Sequence, residues 1–309
     1  MVDLNRRGFI RSLFSIGSIG AASSSEAQVQ AKGKSVFLWC DLHSGHVGFP
    51  TGLDAPAIRP GSIAKLIAAA SLVEDGFNTN LQFECTGTYK VSGVKELGEV
   101  HCQFAHGRLD LRRALAFSCN CFFAQATRSL TTRAFLAKAR ALGLASPVAG
   151  RSSGLFPALE SETKPSLPYV LGLAADFKPN CLQLMRLAGL IAIGPGERLP
   201  VLHSSENFEL KDREKPLAVA LTRKSAELLR SSMRLSVQEG TSSKLDPQDK
   251  MQIAAKTGTT DHGKKFQSQI IGFFPYDKPR NAFCLFSPAG TSVDAAVPEA
   301  SNLILSTSW

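Results

Sequence analysis

The 309-residue chain has no apolar run long enough to cross a bilayer, no repeat of fixed period and no arginine and lysine block interleaved with aromatics. The first absence argues against a spanning helix, which needs about 20 predominantly apolar residues. The second excludes a solenoid. The third argues against a nucleic-acid stacking platform, and basic residues alternate with acids, as in Lys211-Asp212-Arg213-Glu214-Lys215. None of the six histidines stands in a nucleophile context, and no G-x-S-x-G elbow occurs. A serine hydrolase built on that elbow is thereby excluded.

What remains is a globular composition. With 44% hydrophobic and 20% charged residues, the chain can bury one large core or two unequal lobes. Its 25 glycines and 16 prolines are dispersed, so no low-complexity tract lies beyond the N-terminus. A formal charge of +9 and a pI near 9.3 suit an anionic partner: a carboxylate substrate, an acidic polymer or a membrane surface. The sign alone is equally that of a solvated basic face.

Residues 1–31 have the layout of an export signal and short linker. Arg6-Arg7-Gly8-Phe9-Ile10 precedes a weak apolar stretch broken by Arg11, serines and glycines. Paired arginines before a weakly hydrophobic segment predict a twin-arginine signal, an ordinary secretory signal being the alternative. Small residues at Ser25 and Ala27, or at Val29 and Ala31, offer cleavage sites, and loss of residues 1–27 lowers the formal charge only to +8. Export permits disulfides. Seven cysteines are odd in number, and Cys85 and Cys102, which bracket a polar glycine-containing segment, are the first pair expected. Cys40, His43 and His46 superficially resemble a metal site, yet Ser44-Gly45 between apolar runs predicts a hairpin turn instead.

Local pattern predicts an α+β fold. Val36 to Leu42 and His46 to Phe49 form the expected hairpin, and the almost wholly apolar run Ile63 to Val73 a helix buried on most sides. Further helices are expected at Leu109 to Phe117, Ala124 to Leu130, Phe135 to Leu142 and Leu182 to Ile193. Met251 to Thr260, Ser268 to Phe274 and Ala282 to Ser287 read as an antiparallel meander with turns at 261–263 and 276–281. Helices therefore wrap a mostly antiparallel sheet that the N-terminal hairpin joins.

Acyl transfer needs a nucleophile, a base, oxyanion donors and a group that holds the substrate's charge. Without a suitable histidine, a Ser-Lys pair is the remaining option. Serine three residues before lysine occurs at Ser62/Lys65, Ser92/Lys95 and Ser161/Lys164. Ser92 lies among glycines, and Pro165 disfavours a helix at Lys164, so neither pair is expected to share a face. Ser62 follows Pro60-Gly61 and opens the apolar helix, which places its side chain near Lys65 one turn on. A plain N-cap is the competing reading.

Lys65 speaks against a plain cap, because the first turn of a helix disfavours a cation and an Ile/Ala/Leu run desolvates it. Both effects depress its pKa towards that of a usable base. Ser118/Asn120 falls between two predicted helices, where a hydroxyl and an amide can project into a cleft. A second Ser-x-Asn, Ser205/Asn207, lies in a polar loop. Lys256-Thr257-Gly258-Thr259 offers charge and hydroxyls beside a glycine that admits close approach, although an edge strand blunted by lysine and glycine reads similarly.

In chain order, Pro60-Gly61-Ser62-Ile63-Ala64-Lys65, Ser118-Cys119-Asn120 and Lys256-Thr257-Gly258-Thr259-Thr260 resemble the three signatures of penicillin-binding transpeptidases and serine β-lactamases. The resemblance runs from about Ser35 to the C-terminus, a single domain at 35–309, and includes His106-Gly107, Glu239-Gly240-Thr241 and Ile271-Gly272-Phe273. It implies a five-stranded antiparallel sheet flanked by helices, with an all-helical subdomain. It also implies that Ser62 forms an acyl-enzyme, Lys65 takes its proton, and Ser118 and Asn120 relay protons and bind the substrate amide. Lys256, Thr257, Gly258 and Thr259 would engage the carboxylate of D-Ala-D-Ala or of a β-lactam, with the N–H groups of Ser62 and Thr259 as oxyanion hole.

No metal or organic cofactor is implied. The implied partners are peptidoglycan stem peptides, β-lactam antibiotics as inhibitors and a glycan-acting cell-wall protein, since the chain has no room for an anchor, pedestal or glycosyltransferase domain. Nucleic acid is not implied, and the implied location is outside the cytoplasm. Ala255 before Lys256, and Leu171-Gly172-Leu173, depart from the common pattern and blur the subfamily. D-Ala-D-Ala transpeptidase or carboxypeptidase is the leading expectation, with a β-lactamase or a non-turnover sensor as alternatives.

Overall fold

Strands buried on both faces set the architecture, and helices cover both sides of them. The computed structural model describes residues 34–49, 55–92, 97–207, 209, 214–262 and 265–309. The export signal expected at 1–31 and Lys95 lie outside the described residues.

The chain enters through a hairpin, β1 (Val36–Asp41) and β2 (Val47–Gly48). Its turn is organised by the Asp41 carboxylate, which accepts from the N–H groups of His43 (3.0 Å) and Ser44 (2.7 Å) and from Ser44 Oγ (2.9 Å). Gly45 supplies the positive φ of +81°. Cys40 points into the core while His43 is exposed, so this segment is the expected turn.

A 3-10 turn, Gly61–Ile63, leads into α1 (Ala64–Glu74), every residue of which from Ala64 to Val73 is buried. Beyond it come β3 (Phe83–Cys85), β4 (Thr88–Lys90), β5 (Glu99–His101) and β6 (Gly107–Leu109). β3 pairs with β6 and β4 with β5. The lobe expected to be all helical therefore carries two small ribbons beside α2 (Leu111–Ala116), α3 (Asn120–Ala126), α4 (Thr132–Ala141) and α5 (Leu167–Val170).

The long apolar helix α6 (Cys181–Ile193) starts at a capping box of Asn180 and Gln183, and a minor ribbon, β7 (Arg198–Leu199) with β8 (Leu217–Ala218), follows. Next are α7 (Arg223–Gln238), the meander β9 (Ala254–His262), β10 (Lys265–Phe274) and β11 (Asn281–Ser287), and α8 (Val297–Ser306).

The main sheet is antiparallel throughout, in the order β2-β1-β11-β10-β9. Alternation assigns its two faces. Leu38, Ile271, Phe273, Cys284 and Phe286 join the large core with α1 and α6, whereas Phe37, Ile270, Phe274, Phe283 and Leu285 pack with Val297 and Ile304 of α8. Because both faces are covered, β11 is buried at all seven positions and reads as a continuous apolar run. Among the described residues no helix is long and apolar enough to cross a membrane.

The boundaries of the meander differ from those expected. The strand predicted from Met251 begins at Ala254 and runs on through Asp261 and His262, which pair with Phe266 and Lys265. The turn thus moves past 261–262. Helices α7 and α8 have no counterpart in the sequence reading. In α7 the inward face of Ala226, Leu229, Met233 and Val237 keeps helical spacing behind the Thr222 cap, with Ser225, Ser232 and Ser236 buried beside it.

The Cys85–Cys102 disulfide is not formed, and all seven cysteines are free and buried. Cys85 Sγ turns to His106 Nδ1 at 3.4 Å. Cys102 Sγ instead meets the start of α3, with Cys121 Sγ at 3.5 Å and Cys119 Sγ at 3.7 Å.

Candidate active site

The Ser62 turn is held in place by two glycines. Gly61 has φ +52°, and a Cβ there would lie 2.7 Å from the Thr259 carbonyl oxygen of β9. On the other side Gly172, at φ +69°, would bring a Cβ within 2.0 Å of the Gly61 oxygen, and its own carbonyl accepts the Gly61 N–H at 3.2 Å. Only glycine satisfies both the backbone sign and the space. Clamped in this way, the turn has no side-chain cap. Ser62 Oγ instead lies 3.0 Å from Lys65 Nζ.

Lys65 is fully buried in the first turn of α1. Its Nζ donates to Ser118 O at 2.8 Å and to Asn120 Oδ1 at 2.5 Å, with Ser118 Oγ at 3.5 Å and the Phe123 ring centroid at 5.7 Å. Burial pushes its pKa down from 10.5 to about 8. The amine is thus caged by oxygens, yet none of its described hydrogen-bond partners is a carboxylate that would hold its proton.

Ser118 occupies the break between α2 and α3 at φ +58°, a left-handed conformation costing about 1–2 kcal/mol for a residue other than glycine. Strain of this kind often marks a functional site. Here it brings the Ser118 carbonyl to Lys65 and the hydroxyl to Lys256, whose Nζ lies 2.9 Å away. Asn120 is the first residue of α3, and its Nδ2 donates to His101 O at 2.7 Å, which ties β5 to Lys65.

Lys256 is also fully buried; its Nζ donates to Thr257 O at 2.9 Å. Burial, reinforced by the neighbouring Lys65, holds its pKa well below the ordinary lysine value. Two buried amines around one hydroxyl cannot both keep their protons cheaply. An alternating chain therefore runs Ser62 Oγ, Lys65 Nζ, Ser118 Oγ, Lys256 Nζ. It can accept a proton at one end and deliver one in the middle.

β9 supplies the adjoining wall. Thr257 Oγ1 is 2.7 Å from Thr241 Oγ1, and Thr259 Oγ1 lies 3.2 Å from Ser292 Oγ and accepts the Ser292 N–H at 3.1 Å. Gly258 has no room for a side chain, since a Cβ there would meet Pro60 O at 2.5 Å and Gln269 Nε2 at 2.8 Å. The strand can then pack directly against the Ser62 turn.

All eight expected site residues thus converge, four from helix starts and breaks and four from one strand. Thr241, Ser292 and Gly172 take part without having been assigned. Glu239-Gly240-Thr241 was the available signal for the first, whereas nothing in the sequence marks Ser292. The rejected pairs behave otherwise. Ser161 Oγ and Lys164 Nζ do share a side, each 2.8 Å from Asp176 Oδ2, contrary to the expectation drawn from Pro165. A 3-10 turn, Leu159–Thr163, brings them together without a helix, and the carboxylate neutralises the lysine. Asn207 is spent on Ser204 and on the Ala149 carbonyl.

Known proteins carry the comparison further. The chain resembles the penicillin-binding protein PBP2 of Helicobacter pylori at 19% identity and a TM-score of 0.72, over 88% of this chain and 58% of that one. That protein in complex with MreC gives 18% identity and 0.71, over 88% and 60%. Penicillin-binding protein A of Mycobacterium tuberculosis, in a ceftriaxone acyl-enzyme complex, gives 18% and 0.66, over 89% and 74%. At such identities the likeness establishes the fold, and the chain spans less than two thirds of the Helicobacter protein. No curated protein matches the chain in sequence. The family of penicillin binding protein transpeptidase domains, however, matches residues 51–303 and so takes in the Ser62 turn, the Ser118 break and β9 together; to that family the chain belongs.

Proposed function

We propose that the chain cleaves the terminal D-Ala-D-Ala amide of peptidoglycan stem peptides through an acyl-enzyme on Ser62, acting as a transpeptidase or carboxypeptidase. The observation that carries this reading is the chain of two hydroxyls and two buried amines with Lys65 Nζ 3.0 Å from Ser62 Oγ. Ser62 Oγ attacks the carbonyl carbon of the penultimate residue while Lys65, as free amine, takes the hydroxyl proton. The negative charge that develops on the carbonyl oxygen falls to the N–H groups of Ser62 and Thr259. As the C–N bond breaks, the departing amine of D-Ala receives a proton through Ser118, replenished from the lysines on either side. An acceptor amine or a water then attacks the ester by the reverse route and frees Ser62.

Lys256, Thr257 and Thr259 give the substrate carboxylate a cation and two hydroxyls. That anion, once bound, favours the protonated form of Lys256, so substrate binding arms the relay. Asn120 holds Lys65 and keeps a second N–H for the substrate amide. A β-lactam offers the same carboxylate and a strained amide whose cleaved nitrogen stays attached. The acyl-enzyme of the Mycobacterium tuberculosis relative supports the same outcome at Ser62.

Lys65 bonds to Ser62, Ser118 and Asn120, and among the described residues to no carboxylate, which weighs against rapid activation of a hydrolytic water and so against a β-lactamase. Such a substrate lies outside the cytoplasm, in keeping with an export signal at 1–31. The Helicobacter pylori relative in complex with MreC supports a cell-wall protein partner that brings glycan strands to this chain. The test is incubation of the full chain with a synthetic stem pentapeptide and an acceptor amine, followed by mass spectrometry. Loss of one D-Ala, with the tetrapeptide or the cross-linked product formed, is expected. A pentapeptide left intact, or one processed equally by Ser62→Ala, overturns the reading.

A further inference from the structure

Behind the Ser118 break a second group of reactive side chains converges, none of it used by the hydroxyl and amine chain. Cys85 ends β3, Cys102 follows β5, His106 precedes β6 and Cys119 stands between Ser118 and Asn120. Their sulfur and imidazole nitrogen atoms all lie within 4.8 Å of one another. Cys85 Sγ is 3.4 Å from His106 Nδ1, and Cys102 Sγ is 3.7 Å from Cys119 Sγ. Tetrahedral zinc, with bonds of about 2.3 Å to sulfur and about 2.0 Å to nitrogen, sets its ligands about 3.6–3.8 Å apart. Both pairs already stand close to that separation.

We propose that Cys85, Cys102, His106 and Cys119 form a structural zinc site that fixes the Ser118–Asn120 segment. A second observation points the same way. Backbone N–H groups aim at the sulfurs: those of Asn120 (3.2 Å) and Cys121 (3.5 Å) at Cys102, and that of Phe122 (3.3 Å) at Cys119. Such N–H donors stabilise thiolates and are the outer shell a thiolate-bound metal needs. Three thiolates and one imidazole select zinc over magnesium or calcium, whose ligands are oxygens.

Binding is balanced by loss of a proton from each ligand cysteine that enters as a thiol, with imidazole entering neutral. No electron is transferred. The three cysteines are buried, while His106 is half-buried and offers the side from which an ion can enter. The site also accounts for free thiols crowded together in a chain expected to be exported, since metal-bound thiolates resist the oxidation that export invites. With Cys119 anchored, Ser118 on one side and Asn120 on the other are held at Lys65, so the ligands are positioning residues.

The test reads metal content and needs no turnover, so it stands or falls apart from the catalytic reading. The full chain, purified without chelators and reconstituted with zinc, is expected to hold one zinc per chain by elemental mass spectrometry. Its cobalt derivative should show thiolate-to-cobalt charge transfer and the intense visible bands of a tetrahedral site. Loss of an outer-shell partner alone weakens metal sites about 10- to 100-fold, so His106→Ala should bind zinc at least about 100-fold more weakly against a chromophoric chelator.

Cys121→Ser removes a buried thiol of the same cluster that is not an assigned ligand, and should keep the stoichiometry and the cobalt spectrum. The proposal is overturned if the unmutated chain retains no metal after dialysis from excess zinc while its thiols titrate freely. It is equally overturned by an intact mass showing a Cys85–Cys102 disulfide, or by loss of the metal in Cys121→Ser. Should His106→Ala fail to fold, the metal content and cobalt spectrum of the unmutated chain decide alone.

Discussion

Acylation should switch on with pH through the value that burial gives Lys65. An ordinary lysine at 10.5 is free amine in about 0.03% of molecules at pH 7, whereas one lowered to about 8 is free in about 9%, a gain of about 300-fold. If Lys65 is the base, the second-order acylation constant for a chromogenic penicillin, measured by stopped flow, should rise tenfold per pH unit below 7. It should bend near pH 8 and level off above 9.

Stability carries the same signature. The folded pKa lies below the unfolded one, so the unfolded chain binds more protons between pH 8 and 10.5 and stability rises with pH across that window. Below pH 8 the full penalty, about 3 kcal/mol, is present. Lys65→Met removes that penalty and also the amine's four polar contacts, of which the three at 3.0 Å or shorter, to Ser62 Oγ, Ser118 O and Asn120 Oδ1, are worth about 1 kcal/mol each. Its melting temperature should therefore stay within about 5 °C of the unmutated chain at pH 7, while acylation falls about 100- to 10,000-fold and loses its pH dependence. An acylation rate flat from pH 6 to 9, or still climbing past pH 10, refutes the lysine base.

If its hydroxyl relays a proton, Ser118→Ala should lower the acylation constant by about 100-fold or more, and loss of the 2.9 Å bond to the buried Lys256 amine should cost about 1 kcal/mol in a thermal melt. Gly172→Ala places a methyl 2.0 Å from the Gly61 oxygen at φ +69°, so a thermal melt should show a loss beyond about 2 kcal/mol together with slower acylation; an unchanged melt contradicts the clamp. Thr241→Val removes the 2.7 Å contact to Thr257, a loss of about 1 kcal/mol, and should raise the half-saturating concentration of a carboxylate-bearing β-lactam about fivefold with little change in limiting rate.

The Ser62–Lys65 pair was legible because Lys65 breaks local rules: a lysine where the helix dipole and an apolar run oppose it has no structural reason to be there. The hairpin and the meander were legible because strands covered on both faces spell continuous apolar runs between turn residues. Helix α7 has a legible stripe as well, Ala226, Leu229, Met233 and Val237 behind the Thr222 cap, which the sequence reading did not use. The ribbons beside α2 and α3 were not legible, because strands of three residues carry no period. Gly258 carries a packing constraint that the motif alone does not reveal. Its missing side chain makes room for Pro60 at 2.5 Å, a contact between segments about 200 residues apart that local sequence cannot encode. The same holds for Cys85, Cys102, His106 and Cys119, whose irregular spacing suggested at most one disulfide and becomes a cluster only when the β3–β6 ribbon and α3 meet.

Incubation of the full chain with a labelled penicillin, followed as intact mass over time, tests the acyl-enzyme most directly. A persistent adduct of one penicillin per chain, mapped to the peptide containing Ser62 and absent from Ser62→Ala, is the predicted result. Absence of any adduct, or its survival in Ser62→Ala, would contradict the assignment of Ser62 as nucleophile.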